Sequence, residues 1–171
     1  RSQRGAALVA VMLLLVITML MAVSSVRTAN LEERMAGHTR DRQVAFQMAE
    51  AALRDAEQVI ATDTDGPFRP LRPGLFTADC EAGLCRSAPS APVWAGFSDS
   101  DWASTKTWLY GAATGATALA GASGPRFAIE FQGTAQPIEP GKPCIALFLL
   151  TARARGASAA TDVVLQSVYR H

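Results

Sequence analysis

Residues 5–26 have the sequence GAALVAVMLLLVITMLMAVSSV and contain no charged side chain. Arg1 and Arg4 precede this apolar run, and Arg27 follows it. A helix of about 20 predominantly apolar residues crosses a bilayer, so the run predicts one transmembrane helix. The first proline of the sequence is Pro67, and therefore nothing stops the helix where the membrane would end.

The segment that follows, residues 27–61, predicts a continuation of the same helix with one apolar side. Its small and apolar residues recur at three- and four-residue spacings, as they do on one face of an α-helix. They are Val44, Ala45, Met48, Ala49, Ala51, Ala52, Ala56 and Val59. The turn-forming residues 62–67 then end the helix. The small-residue side needs a packing partner, and a sheet or neighbouring helices would suit it.

The charge pattern bears on orientation and on partners. Basic residues beside a first helix favour the cytoplasmic side, so Arg1 and Arg4 predict that residues after Val26 are exported. A net charge of +1, from 16 basic and 15 acidic side chains, gives no electrostatic case for nucleic-acid binding. A cleaved signal peptide is the alternative for the N-terminus, but its apolar region usually has about 7–15 residues, fewer than this run contains.

The residues that follow the helix predict loops and one short helix. Residues 62–92 are rich in proline, glycine and arginine and predict a loop, and residues 111–124 predict an irregular segment. Between them, Ser100 or Asp101 is expected to cap a short helix that continues to Leu109. Three tryptophans lie in the same region: Trp94, Trp102 and Trp108. We expect them to fill the core of the head, and a contact patch for a partner is the alternative.

Three apolar segments in the last third predict strands. They cover residues 127–131, 145–152 and 162–169. The first alternates in polarity and the second is almost continuously apolar, which is typical of a central strand. Turns are predicted at residues 132–142 and 155–158, and such short connections favour an antiparallel meander. The sequence therefore predicts an α+β fold in which a long N-terminal helix packs on a small antiparallel sheet.

The cysteines agree with an exported head. Cys80 and Cys85 are separated by four residues, and Gly83 between them permits a small disulfide loop outside the reducing cytosol. Spacing alone does not establish the bond, because the separation of the two Cα atoms must also fit. Cys144 is then unpaired, and we expect it to be a small buried apolar side chain; a different pairing through Cys144 is the alternative.

No motif indicates catalysis, and we predict neither a catalytic residue, nor a metal site, nor a cofactor. Residues 63–66 begin like a calcium loop, but the required downstream glutamate is missing, so a helix-ending turn is the better interpretation. The two histidines, His38 and His171, are too few and too far apart in sequence to complete a zinc site or a catalytic triad.

The order of these features resembles that of a type IV pilin, and two blocks of sequence resemble the PilX-type minor pilins. The first block comprises LEERMAG at residues 31–37, followed by RDR at 40–42, AFQ at 45–47 and AEAAL at 49–53. The second comprises LTAR at residues 150–153 and VLQSVYR at residues 164–170. The disulfide loop between Cys80 and Cys85 also looks familiar for this family.

The sequence Gln-Arg-Gly-Ala at residues 3–6 resembles the cleavage site of a class III prepilin leader. The resemblance implies that a prepilin peptidase cuts after Gly5 and methylates the new N-terminus at Ala6. Four segments follow from this interpretation: a leader remnant at 1–5, a transmembrane and assembly helix at 6–26, its periplasmic continuation at 27–61 and a pilin head at 62–171. The leader can extend further than residues 1–5. The predicted assembly residues are Ala10, Leu14, Ile17 and Met21.

One departure from the common pilin pattern is informative. Most pilins have a glutamate at the fifth mature position, which is Ala10 here when counted from Ala6. That glutamate is thought to pair with the N-terminal amine of the subunit assembled before it, and a subunit with no predecessor would carry an uncompensated buried charge. The alanine is therefore compatible with the first position in a filament, at its tip.

The resemblance implies a minor pilin that helps to prime assembly of a type IV pilus and lies at its tip. The implied partners are other minor pilins, the major pilin, the inner-membrane assembly platform and a large tip adhesin. The implied location is the inner membrane with a periplasmic head before assembly, and the pilus on the cell surface afterwards. The alternatives are a K-like minor pseudopilin of type II secretion and a membrane-anchored periplasmic binding module that never assembles.

Overall fold

The structure, a computed structural model, describes residues 4–69, 71–88, 91–118, 123–136, 144–158 and 160–171. Within these described ranges lie two α-helices, α1 (Arg4–Thr62) and α2 (Asp99–Trp102), and five strands. The strands are β1 (Leu84–Arg86), β2 (Trp108–Leu109), β3 (Ser123–Ala135), β4 (Ile145–Arg155) and β5 (Asp162–Arg170). The chain divides into two compact units, Arg1–Arg40 and Asp41–His171, and α1 contributes residues to both.

The first unit contains the N-terminal part of α1. Every side chain described there, at residues 7–40, is exposed. The helix persists because the segment has no proline and is rich in alanine, leucine and methionine, which are strong helix formers. Gly37, which we expect to cost about 1 kcal/mol relative to alanine, is accommodated within it. The continuous helix predicted across residues 6–61 is therefore present.

In the second unit, the remainder of α1 packs on the sheet through its small residues. The buried positions of this helical segment are Ala45, Met48, Ala49, Ala52, Asp55, Ala56, Val59 and Ile60. The face predicted from the three- and four-residue spacing is the one that packs. Small side chains let the helix approach the sheet closely, and aromatic side chains fill the remaining core. Phe68 makes edge-to-face contacts with Phe76 and Phe148, and Phe76 also contacts Phe148 at a tilt. Phe127 stacks on Trp108.

The helix ends at Thr62, one residue beyond the predicted end at residue 61. The Asp63 carboxylate accepts hydrogen bonds from the backbone N–H groups of Gly66 (2.8 Å), Phe68 (2.7 Å) and Arg69 (3.0 Å). This carboxylate closes the turn, and a Cβ at Gly66 would overlap it, which explains the glycine. The calcium-loop interpretation is not needed, because the turn uses Asp63 as a backbone acceptor.

Strands β3, β4 and β5 form the predicted antiparallel meander, with Phe127 opposite Ala152 and Ala152 opposite Leu165. The prediction of a purely antiparallel sheet is wrong, however, because β1 pairs with β3 in parallel and the sheet is mixed. Strand β2 pairs with β3 antiparallel along the same edge. The long connection from β1 to β3 provides the crossover length that parallel pairing requires.

Several boundaries differ from the prediction: β3 begins at Ser123 rather than residue 127, and β4 continues to Arg155 rather than residue 152. Strand β3 continues to Ala135, into the predicted turn at 132–142, because a bulge next to Gly133 (φ 129°) lets the strand bend and continue. Residues 137–143 of that turn lie outside the described residues. The short helix is capped by Ser98, in a reciprocal capping box with Asp101, and ends at Trp102. It does not reach Leu109, because β2 pairs with β3 instead.

The predicted disulfide between Cys80 and Cys85 is present, with Cα atoms 4.1 Å apart. Both cysteines are buried and pack with Ala128. The expectation for Cys144 is wrong: this side chain is exposed and unpaired, because it lies just before β4 rather than within the buried face of the sheet. The pairing through Cys144 that we kept as an alternative is also absent.

Candidate functional site

Residues 7–26 of α1 present an uncharged, mostly apolar surface. Among the predicted assembly residues, Ala10 is exposed, and Leu14, Ile17 and Met21 are 61%, 49% and 67% exposed. By length and composition, α1 can cross a membrane. The predicted processing residues Gly5 and Ala6 lie in the first turns of α1, but their side chains are outside the described part of the structure.

Two of the three hydroxyl groups between residues 7 and 26 are satisfied by the helix itself. Thr18 donates to the carbonyl of Leu15 at 3.0 Å, and Ser25 donates to the carbonyl of Met21 at 3.0 Å. A hydroxyl that donates to its own helix leaves no unmet hydrogen-bond donor in lipid or in a helical bundle. These two hydroxyl groups can therefore be buried in either environment without another polar partner.

Two carboxylates tie the second half of α1 to loops of the head. Asp41 accepts hydrogen bonds from the backbone N–H groups of Ala157 (2.6 Å) and Ser158 (3.2 Å) in the turn between β4 and β5. Asp55, which is 1% exposed, accepts from Gly111 N (2.8 Å) and from both the N–H (3.1 Å) and the hydroxyl (2.9 Å) of Thr114. Asp41 and Asp55 therefore attach two loops of the head to the second half of α1. Sequence reasoning did not single out Asp55, since a lone acid on an apolar helix face carries no motif.

A cleft of about 280 Å³, here called the arginine cleft, opens in the head. Its lining residues are Asp99, Trp102, Ala103, Leu109, Gly124, Arg126, Arg153 and Arg155. Arg126 on β3 lies directly opposite Arg153 on β4, and Arg155 follows two residues later on the same face. Side chains on this face point away from the face that packs against α1, because side chains alternate along a strand.

Two aspartates offset part of this positive charge. Asp99 accepts from Nη2 of Arg153 at 2.8 Å and from Nη2 of Arg155, and Asp162 accepts from Nε of Arg153 at 2.9 and 3.0 Å. The Arg153 side chain is only 13% exposed, and its guanidinium lies 5.6 Å from the centre of the Trp102 ring. Arg153 is thus held on two sides by carboxylates and below by an aromatic ring.

The electrostatics of the cleft follow from these contacts. The hydrogen bond from Arg155, and then the one from Arg153, lowers the pKa of Asp99. The hydrogen bond to Asp162 raises the pKa of Arg153, whereas burial lowers the pKa of Arg126. On α2 nearby, the ion pair with Lys106, at 2.6 Å, lowers the pKa of Asp101.

Sequence reasoning missed the arginine cleft. Arg153 and Arg155 lie beyond the strand predicted at residues 145–152, and they share a face only because β4 continues to Arg155. Two features are tertiary properties without a local signature: the register that sets Arg126 opposite Arg153, and the contact of Asp99, in α2, with Arg153. The tryptophans divide between roles: Trp102 is buried below the cleft, and Trp108 packs against the main core.

Comparison with known protein families bears on the whole chain. Residues 4–54 match the model described as PilX N-terminal, and residues 81–171 match the model described as type IV pilus assembly protein PilX C-terminal. No curated protein and no solved structure matches the chain. The two models coincide with the apolar helix and with the disulfide-linked sheet of the head, and the second covers more than half of the sequence. The chain therefore belongs to the PilX family of structural pilus components, and it is a minor pilin of a type IV pilus.

Proposed function

We propose that this minor pilin is stored in the inner membrane through residues 6–26, is processed after Gly5, and primes a pilus from the tip position. The observation that carries the proposal is the uncharged, exposed surface of α1 from Ala7 to Val26, with alanine at position 10. The apolar α1 and the family fit a membrane-anchored pilus subunit.

The physical basis is that the apolar surface of residues 6–26 can be buried in two environments, the lipid bilayer or a bundle of helices. An apolar helix surface of this length is stable in lipid, and after extraction from lipid it must be buried again. A bundle of similar helices can bury it, since packing between apolar helices replaces their contact with lipid. Processing and N-methylation at Ala6 would generate the N-terminus that such a bundle accepts.

Residue Ala10 supports the tip position. A carboxylate at this depth of an apolar bundle needs a cationic partner, and the amine of a preceding subunit can supply one. A subunit that starts the filament has no preceding subunit, so an uncharged residue avoids an unpaired buried charge. The proposed partners are other minor pilins that associate laterally, the major pilin below, the assembly platform and a tip adhesin.

Processing is tested by mass spectrometry of the N-terminal peptide from cells with and without prepilin peptidase. We expect a chain that begins at methylated Ala6 only when the peptidase is present. A chain that retains Gly5 in both strains would exclude the processing step and favour a membrane-anchored binding module that does not assemble.

The tip position is tested with Ala10→Glu and the uncharged variant of similar size, Ala10→Gln. If the subunit has no predecessor, Ala10→Glu lowers the amount of this protein in sheared pili well below that of Ala10→Gln, because only the former buries a charge. Equal incorporation of both variants would contradict the tip position and indicate a preceding subunit whose amine pairs with the new carboxylate. The C-terminal family match disfavours the pseudopilin alternative.

A further inference from the structure

The arginine cleft holds more positive than negative charge. The guanidinium groups of Arg126, Arg153 and Arg155 line the cleft. Two carboxylates, Asp99 and Asp162, contact these groups. Both carboxylates contact Arg153, and only Asp99 also reaches Arg155. Within the described ranges, no carboxylate contacts Arg126.

Arg126 is held by neutral acceptors alone. Its Nε donates to the Thr107 hydroxyl at 2.7 Å, and its Nη2 donates to the carbonyls of Ser104 (2.8 Å) and Thr107 (3.0 Å). These bonds fix the guanidinium without neutralising its charge. In the part of the chain that the structure describes, Nη1 of Arg126 has no hydrogen-bond partner. A fixed cation with a spare donor favours an anionic ligand.

Arg155 also retains donors. Its side chain is 34% exposed, and among the described residues its hydrogen bonds are limited to the one from Nη2 to Asp99. Two apolar side chains also line the cleft: Leu109, which is 53% exposed and pairs with Arg126 between β2 and β3, and Trp102, which packs against the guanidinium of Arg153. The cleft therefore combines two incompletely paired guanidinium groups with neighbouring apolar side chains.

We propose that the arginine cleft is a docking site for another protein subunit, which inserts an acidic side chain next to an apolar one. The acidic group would bridge Arg126 and Arg155, and the neighbouring apolar side chain would contact Leu109 and Trp102. A volume of about 280 Å³ is at the small end for ligand sites, so it suits one or two side chains of a segment that passes over the surface. Desolvated arginine beside an aromatic ring is a composition typical of binding hot spots.

The proposal goes beyond the tip position and does not depend on it, since it concerns only what the head binds. The first test uses the full ¹⁵N-labelled chain in detergent micelles and two small probes, acetyl-Asp-Phe-amide and acetyl-Asn-Phe-amide. We expect the aspartyl probe to shift the amide signals of Gly124 and Arg126 saturably. The asparaginyl probe, which lacks only the charge, should bind about tenfold more weakly.

Variants separate docking from folding. Arg155→Gln removes one guanidinium that makes a single hydrogen bond, so the head should fold while the aspartyl probe binds about tenfold more weakly. Arg72→Gln makes the same charge change at an exposed position outside the cleft and should leave binding unchanged. Equal binding of the two probes, or an equal effect of the two variants, would overturn the proposal.

A second test identifies the partner in piliated cells. A photo-reactive benzoylphenylalanine at position 109 of the full-length protein should form an adduct with a peptide that has an aspartate or glutamate beside the attachment point. Charge reversal of that acid should abolish the adduct, and Arg155→Glu combined with the matching acid-to-arginine change should restore it. An adduct with a lipid or a glycan, or with a peptide that lacks an acidic residue, would contradict the proposal.

Discussion

Asp41 on α1 and Gly156 in the β4–β5 turn are in direct contact, and a Cβ at position 156 would overlap the Asp41 carboxylate. The same carboxylate accepts hydrogen bonds from the backbone N–H groups of Ala157 and Ser158. Gly156 is buried, and its φ is not in the left-handed region. The glycine is therefore required for space rather than for backbone conformation, because it lets the helix acid reach the turn.

The first prediction concerns this contact. Gly156→Ala should lower the free energy of unfolding of the head by about 1–3 kcal/mol, because the methyl group must displace Asp41 from the two N–H groups. Urea unfolding followed by tryptophan fluorescence measures the effect, since all three tryptophans lie in the head. Gly96→Ala is the matched control: nothing lies within 4 Å of its Cβ, so we expect a change within about 0.5 kcal/mol. Equal stability of the two variants would contradict the steric explanation.

The second prediction concerns the buried acid Asp55. Asp55→Ala should lower the free energy of unfolding by about 2 kcal/mol, because the N–H groups of Gly111 and Thr114 lose their acceptor. The exposed neighbour Arg54 provides the control, since Arg54→Ala removes a longer side chain at a solvated position of the same helix. Hydrogen exchange at Gly111 gives a local readout, and unchanged protection there would argue against Asp55 as the group that anchors this loop.

The long elements were predictable because each has a strong periodic signal. The apolar run of residues 5–26 and the small-residue spacing from Val44 to Val59 specify one helix by length and by face. The three long strands alternate or are continuously apolar. In each case local preference and tertiary packing favour the same structure, so the sequence pattern suffices.

The short strands and the arginine cleft were not predictable in this way. Strands β1 and β2 have three and two residues, too few for a period, and they are strands only because β3 offers them a free edge. The helix expected up to Leu109 failed for the same reason, since pairing of β2 with β3 outweighs local helix preference. In the cleft, Asp99 and Arg153 are far apart in sequence, and only the tertiary structure brings them into contact.

The third prediction concerns the disulfide. Cys80→Ser combined with Cys85→Ser should lower the free energy of unfolding by about 2 kcal/mol, because the unfolded chain regains the freedom of a short closed loop. Urea unfolding with and without a reducing agent tests the same quantity in the unmodified chain. Cys144→Ser is the control, and we expect no change because Cys144 is exposed and unpaired. A similar loss of unfolding free energy in the double variant, in the reduced chain and in Cys144→Ser would indicate that the disulfide itself contributes nothing.

The fourth prediction is a pH dependence that originates in Asp99. Hydrogen bonds from Arg155 and Arg153 lower the pKa of Asp99 in the folded state below its value in the unfolded chain, which is about 3.9. A group with a lowered folded pKa stabilises the fold fully above its unfolded pKa, and this contribution is lost as pH falls through the folded pKa. The difference in free energy of unfolding between the unmodified head and Asp99→Asn should therefore be constant from about pH 5 to 7 and should shrink as the pH falls below about 4.

Asp79→Asn distinguishes this linkage from a general effect of removing one negative charge. Asp79 is exposed and, among the described residues, has no hydrogen-bond or ion-pair partner, so its variant should follow the pH profile of the unmodified head. Direct titration of the Asp99 carboxyl carbon by NMR supplies the folded pKa independently. A stability gap for Asp99→Asn that stays constant or widens on acidification would show that Asp99 does not act through its two arginine partners, because protonation would then leave the relevant interaction intact.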